Sequence, residues 1–243
     1  MSHPLDGATA RVRRAVSHIN EFRAGLEQLR RACREHFSTE YDPETLQITA
    51  RHFEPVIPPD ASVIVGETVY NLRASLDYIV YELAREDSGS YQDGTQFPIE
   101  DVEFGCSPNR KRKWGFKTRI PTYLRGLSVP HIESIRNLQP YKGVAWTKTL
   151  RDISNPDKHR RLTGVVDASQ ITVTISGGES GAFEGRPGLI YPGKGEGGAD
   201  VHLHGEHTFD IAFPDGALVL ETLQTLQIQV TATIDAFKPE FKV

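Results

Sequence analysis

Two stretches of this 243-residue chain carry side chains that could do chemistry together. Residues 63–84, VIVGETVYNLRASLDYIVYELA, place Asn71, Arg73 and Asp77 beside a regular apolar pattern. Arg73 and Asp77 are four apart, so on a helix they share a side and can pair. Both fall at the edge of the apolar stripe, where a half-buried polar side chain needs a partner. The second stretch is Asn155-Pro156-Asp157-Lys158-His159-Arg160. Pro156 suits the first turn of a helix with Asn155 as its cap. Asp157 would then lie near the positive end of the helix dipole, with Lys158, His159 and Arg160 on successive positions. If the two stretches meet, they form a ligand site of opposite charges in a partly dry setting, or a salt-bridge network tying two helices together.

Three other clusters invite a chemical reading. Arg110, Lys111, Arg112, Lys113, Lys117 and Arg119 surround Trp114 and Phe116 in the most basic segment. That composition fits a nucleic-acid contact with aromatic platforms, and equally a solvated surface loop. His202 and His204 would face one side of a strand, with His207 past a turn at Gly205-Glu206. They could offer imidazoles to zinc or nickel, but no carboxylate or cysteine motif joins them, so no metal site and no cofactor is assigned. The sequence holds no GxSxG, Walker A, HExxH or strand-to-helix GxGxxG motif. Gly193-Lys194-Gly195-Glu196-Gly197 reads as a turn, because no helix follows it.

The elements that must position these residues follow from periodicity. From about Thr9 to Phe37, Val12, Val16, Ile19, Phe22, Leu26, Leu29, Cys33 and Phe37 recur at helical steps. Seven arginines, Arg11, Arg13, Arg14 and Arg30 among them, occupy much of the remaining surface. They read as a solvated basic face with Glu21, Glu27 and Glu35 as local partners, in preference to a nucleic-acid stripe. Residues 46–53 alternate as a short strand that could join a later sheet. Pro59-Asp60-Ala61-Ser62 starts the second long helix, whose stripe is Val65, Val69, Leu72, Leu76, Ile79 and Leu83. Residues 88–97 read as a loop and 95–99 as a short extended piece. Short helices are expected over 122–127, 131–138 and 146–153.

From Leu162 the texture becomes β-branched and glycine-punctuated, which predicts four or five short antiparallel strands. Gln227 to Thr233 has strand-like composition, yet Leu220, Leu223, Gln227, Val230, Ile234 and Phe237 follow helical steps and predict a third long helix. The expectation is a single α+β domain over residues 1–243. Its core is a bundle of three long helices plus short ones (about 9–160 and 216–238), with an inserted antiparallel β-sheet (about 162–214).

A chain of this length buries a core without disulfides or metals. Its net charge of −4 gives no general attraction to nucleic acid or anionic lipid. Two distant cysteines, Cys33 and Cys106, with no CxxC, point to a reduced compartment. No apolar run suits a signal peptide or a membrane span, so a cytoplasmic protein is expected.

GETVYNLRASLDYIVYEL, followed some eighty residues later by NPDKHR, resembles an uncharacterised bacterial family with a helical core and a β-rich insert. The resemblance rests on Asn71-Leu72-Arg73, Leu76-Asp77 and Asp157-Lys158-His159-Arg160; it implies a fold and names no activity. More distantly, the helical core is similar to HEPN domains. These are helical bundles, often homodimers, many of them metal-independent ribonucleases. Their mark is an Arg followed four to six residues later by a His. The resemblance implies an RNA or phosphate ligand, with His159 as acid/base and Arg73 holding the phosphate. Asn71, Asp77, Asn155, Asp157, Lys158 and Arg160 would line the site, and Arg110, Lys111, Arg112, Lys113 and Trp114 would receive the nucleic acid. The chain departs from that mark, since Arg151 precedes His159 by eight positions with Pro156 between. The alternative is a non-enzymatic ligand- or protein-binding module in which the same residues are structural.

Overall fold

The second long helix organises its surroundings, and its burial pattern is the one its sequence dictates. In the computed structural model, which describes residues 3–35, 38–42, 47–51, 55–106, 113–154, 162–175, 181–183 and 201–241, α1 spans Asp6–Glu35 and α2 spans Pro59–Ser88. Val65, Val69, Leu72, Leu76, Ile79 and Leu83 are all buried in α2. Burying a Leu- or Ile-sized side chain contributes about 1.5–3 kcal/mol, so this stripe anchors the bundle.

The first half of α1 packs against α2. Ser75 Oγ donates to the Ala8 carbonyl at 3.2 Å, and Arg11 Nη1 donates to Asn71 Oδ1 at 3.4 Å. His18 Nε2 lies 3.2 Å from Glu67 Oε2. These pairs run in opposite order along the two helices, which are therefore antiparallel. The buried line on α1 is Ala8, Val12, Ala15, Ile19, Phe22 and Leu26, with Leu5 buried just before it. The sequence reading placed Val16 in that line, but Val16 is exposed. Positions 15 and 16 flank the Val12–Ile19 line by about 50° each. Burial of His18, on the Ala15 side, decides between them.

The chain falls into two compact units. One comprises Met1–Phe22, Asp60–Arg161 and Val219–Val243; the other comprises Arg23–Pro59 and Leu162–Leu218. In the first, β3 (Gly105–Cys106) and β4 (Lys113–Trp114) form a small antiparallel hairpin. Gly115 follows with φ +107, and a Cβ there would meet the Val102 carbonyl at 2.9 Å, so only glycine fits. Then come α3 (Phe116–Tyr123), α4 (Val129–Arg136), a 3₁₀ turn at Pro140–Lys142, α5 (Ala145–Ile153) and α6 (Val219–Phe237). The first short helix begins six residues before its expected start, because Phe116 is a buried core residue. α6 takes the helical reading of its sequence, with Leu223, Leu226, Val230, Ile234 and Phe237 buried.

In the second unit, β1 (Ser38–Asp42) pairs with β2 (Gln47–Arg51) as a separate antiparallel hairpin, so residues 47–51 do not extend the later sheet. That sheet has three described strands in the order β6-β5-β7: β5 is Thr163–Ile175, β6 is Gly181–Phe183 and β7 is Val201–Ala212. Two expected short strands are one long β5, bent by a register shift between Asp167 and Gln170. The turn expected at Gly205-Glu206 is absent; both residues pair within the β5–β7 ladder, opposite Ile171 and Gln170. Arg30 is not part of a solvated face. It donates to the Phe209 carbonyl at 2.8 Å and pairs with Asp210 at 2.5 Å. The protein is thus α+β: a bundle of long and short helices with an antiparallel sheet between α5 and α6. No described helix is long and apolar enough to cross a membrane.

The end of α2 is fastened by one carboxylate. Asp87 accepts from the Ser128 N–H at 2.7 Å, and its Oδ2 lies 2.6 Å from His131 Nδ1. Burial raises the Asp87 carboxyl, but the Ser128 N–H and His131 outweigh it and hold the group below its ordinary value. The stability this adds is present above the ordinary carboxylate pKa and is lost as pH falls through the lowered one. Asp87→Asn should therefore cost about 1–3 kcal/mol at neutral pH. The gap to wild type should close in acid when urea unfolding is followed by circular dichroism across pH; a constant gap would contradict the assignment.

Candidate functional site

Residues 96–100 belong to no described helix or strand; the Gln96 N–H donates to the Tyr123 carbonyl at 3.1 Å, and the backbone beyond it must be paired by other means. Side chains do it. The Phe97 N–H donates to Asp77 Oδ1 at 2.8 Å, and Arg73 Nη2 donates to the Phe97 carbonyl. Gln139, fully buried between α4 and the 3₁₀ turn, donates from Nε2 to the Pro98 carbonyl at 2.8 Å. Its Oε1 accepts from the Glu100 N–H at 3.0 Å. Arg73 and Asp77 do pair, at 3.8 Å, as their spacing predicts. What they grip together is the peptide backbone at Phe97, whose ring is fully buried.

Burial sets the electrostatics of this clip. It pulls the Arg73 guanidinium below its ordinary value, with Asp77 and Tyr123 opposing. It pushes the Asp77 carboxyl up, against the pull of Arg73 and the Phe97 N–H. With side chains 26% and 34% exposed, the two residues also form one wall of a cleft.

That cleft has a volume of about 490 Å³ and is walled by tyrosines: Tyr70, Tyr78 and Tyr81 from α2, and Tyr91 from the following loop. On a helical wheel Tyr70, Asp77 and Tyr81 fall within about 40° of one another, with Asp77 bordering the buried face. Tyr70 and Tyr91 are largely exposed, at 62% and 67%. The Arg11 guanidinium lies 5.8 Å from the Tyr70 ring centre and 5.9 Å from that of Tyr78, within cation–π range. Tyr81 and Tyr91 meet edge to face at 5.8 Å.

Arg11 and Tyr70 also line a second cleft of about 360 Å³, with Arg14, His18, Glu67 and Asn71. Asn71 is buried; its Nδ2 donates to the Glu67 carbonyl at 2.8 Å, leaving Oδ1 for Arg11. The His18 side chain is 5% exposed, with Glu67 on one side and Glu21 3.5 Å away on the other.

Of the residues singled out in the sequence, Asn71, Arg73 and Asp77 lie along these two clefts. Asn155, Asp157, Lys158, His159 and Arg160 lie outside the described residues, as do Arg110, Lys111 and Arg112. Lys113 and Trp114 form β4, where the indole packs over Gly105. The rest of that basic segment is occupied. Lys117 pairs with Glu103 at 3.3 Å, Arg119 with Glu100 at 2.7 Å, and Phe116 is core rather than a platform for bases. Arg151, weighed above for its distance from His159, is held by Asp101 and Asp152 at 2.9 Å each. His202, His204 and His207 all lie on β7. Among the described residues, no group of three or more His, Cys, Asp or Glu could hold a metal ion.

Sequence reasoning missed His18, Arg14 as a cleft residue, Gln139 and the tyrosine wall. The available signal was three tyrosines on the α2 face where charge would be expected, and an Arg-to-His step of four at Arg14–His18.

Replacing Arg73 by Leu should cost about 1–3 kcal/mol by orphaning the Phe97 carbonyl. Because the Asp77 carboxyl is raised, folding takes up a proton there. The unfolding free energy of wild type relative to Asp77→Asn should fall as pH climbs from the ordinary carboxylate range through the raised value, then level off. Denaturant titrations of both proteins across pH test this, and a difference rising with pH would refute it.

No family model, curated protein or solved structure matches the chain, so the two clefts are the ground on which its function is read.

Proposed function

We propose that the protein binds a phosphate-bearing ligand, RNA foremost, along the α1–α2 clefts. One observation carries the reading. Among the described residues Arg30, Arg119, Arg136 and Arg151 are each paired with carboxylates, whereas Arg11 and Arg14, which line one cleft, form no ion pair. Cations left facing a cleft attract anions, and arginine's planar fork suits phosphate oxygens. Asn71 orients Arg11 from below, and the tyrosines beside it are the surface on which single-stranded nucleic acid stacks. Arg73 and Asp77 take no part in holding the phosphate in this reading, because Arg73 Nη2 and Asp77 Oδ1 hold Phe97.

Two phosphate contacts on a single strand give a log–log salt slope of about −1.4. Titrating a fluorescent single-stranded oligoribonucleotide at 50 and 200 mM salt should show roughly that slope, and Arg14→Ala should reduce its magnitude by about 0.7. Salt-independent binding, or binding indifferent to both Arg11→Ala and Arg14→Ala, would sink the reading.

A second reading, metal-independent RNA cleavage, is favoured by Arg14 and His18, four apart on α1 and in one cleft. This is the Arg-to-His step that marks the HEPN resemblance. There His18 would move the proton and Arg14 would hold the phosphate. His18 is covered between two glutamates, and for that reason binding without cleavage is the first choice. The readings separate in one assay. Cleavage of the oligoribonucleotide in EDTA that disappears in His18→Gln supports the second, and an intact strand bound with the salt slope above supports the first.

A further inference from the structure

We propose that the tyrosine-walled cleft is a pocket for one unpaired nucleobase of the ligand whose phosphate sits at Arg11 and Arg14. This rests on the phosphate reading and names the ligand class, a nucleotide or single-stranded nucleic acid. Four observations lead there. The cleft's volume, about 490 Å³, lies within the range of small-molecule sites, about 300–1,000 Å³. Its walls are aromatic yet exposed: Tyr70 and Tyr91 leave most of their surface in water, an arrangement that core packing does not require. Arg11 and Tyr70 belong to both clefts, so one ligand can place a ring among the tyrosines and its charge beside Arg14. Asp77 stands in the tyrosine wall with a carboxylate that accepts hydrogen bonds, and a base edge offers N–H donors to it.

An organic cation is the other occupant aromatic cages favour, but Arg11 already lies over the Tyr70 and Tyr78 rings, and a second cation there would be repelled. A base is neutral, flat and tolerated by every tyrosine face.

The test uses calorimetry on the full chain with GMP, ribose 5-phosphate and guanosine, against wild type, Tyr91→Ala, Tyr91→Phe and Arg14→Ala. Tyr91 is exposed, so its removal leaves the fold intact, and Tyr91→Phe restores the ring without the hydroxyl. GMP should bind about ten-fold more tightly than ribose 5-phosphate, the order contributed by stacking one base on an aromatic side chain. Tyr91→Ala should erase that advantage without weakening ribose 5-phosphate, Tyr91→Phe should keep it, and Arg14→Ala should weaken both phosphates alike. Equal binding of GMP and ribose 5-phosphate to wild type, with both sensitive to Arg14, overturns the base pocket and leaves the phosphate reading standing. Guanosine binding that depends on Tyr91, with no gain from the phosphate, upholds the pocket and overturns the phosphate reading. No binding of any of the three overturns both.

Discussion

A peptide group removed from water must find a partner, and the segment through Phe97 finds its partners in side chains rather than in a neighbouring strand. Arg73 and Asp77, one helical turn apart on α2, take the carbonyl and the N–H of the same residue. Gln139 takes Pro98 and Glu100 from the far side. The side chains thus reproduce, for a few residues, what a ladder of strands would supply. The cleft depends on this pairing. Gly94 and Thr95, which help to line it, precede the clipped residue, and Asp77 holds Phe97 while facing the tyrosines.

Charge is divided by the same logic. Across the first unit, acidic side chains in residues 100–103 collect the cations of α3, α4 and α5: Glu100 takes Arg119, Asp101 takes Arg151, and Glu103 takes Lys117 and Arg136. Most of these pairs are partly exposed and each contributes little alone. Together they fix where the segment's continuation lies. Arg11 and Arg14 on α1 stand apart from that network, and Arg11 lies over the Tyr70 and Tyr78 rings. A protein with a net charge of −4 can hold an anion only through such local concentration of cations.

How much was legible in the sequence depended on the range of the interaction. The α2 stripe and the Arg73–Asp77 pairing follow from the helical period and needed nothing else. α6 followed from the same rule against strand-like composition. The clip did not, because Phe97 lies 24 residues from Arg73 and nothing in local periodicity marks a side chain that will bind a distant backbone. His18 was hidden for a related reason. It sits among arginines on α1, and only the approach of Glu67 from α2 turns that position inward. The β-rich region showed its strand composition but not its strand lengths, since a glycine such as Gly205 reads as a turn until its partner strand is known. Gly164 shows the converse: its missing side chain leaves room for the Phe209 ring, a packing demand with no sequence signature.

The Phe97 clip has a consequence for how this protein can change over evolutionary time. A chain pinned at one residue by two side chains fixes the register of everything after it, while the span before it is free to differ in length. Residues 89–94 run between the end of α2 and the pinned segment, and they contain Gly89 and Gly94, both at positive φ. Insertions there would leave the downstream register untouched and would alter only the rim that carries Tyr91. A single deletion between Phe97 and Glu100 would break the spacing between the two side-chain grips and displace a buried aromatic ring. The rim is therefore where related chains can acquire new ligand preferences, and residues 97–100 are where they cannot.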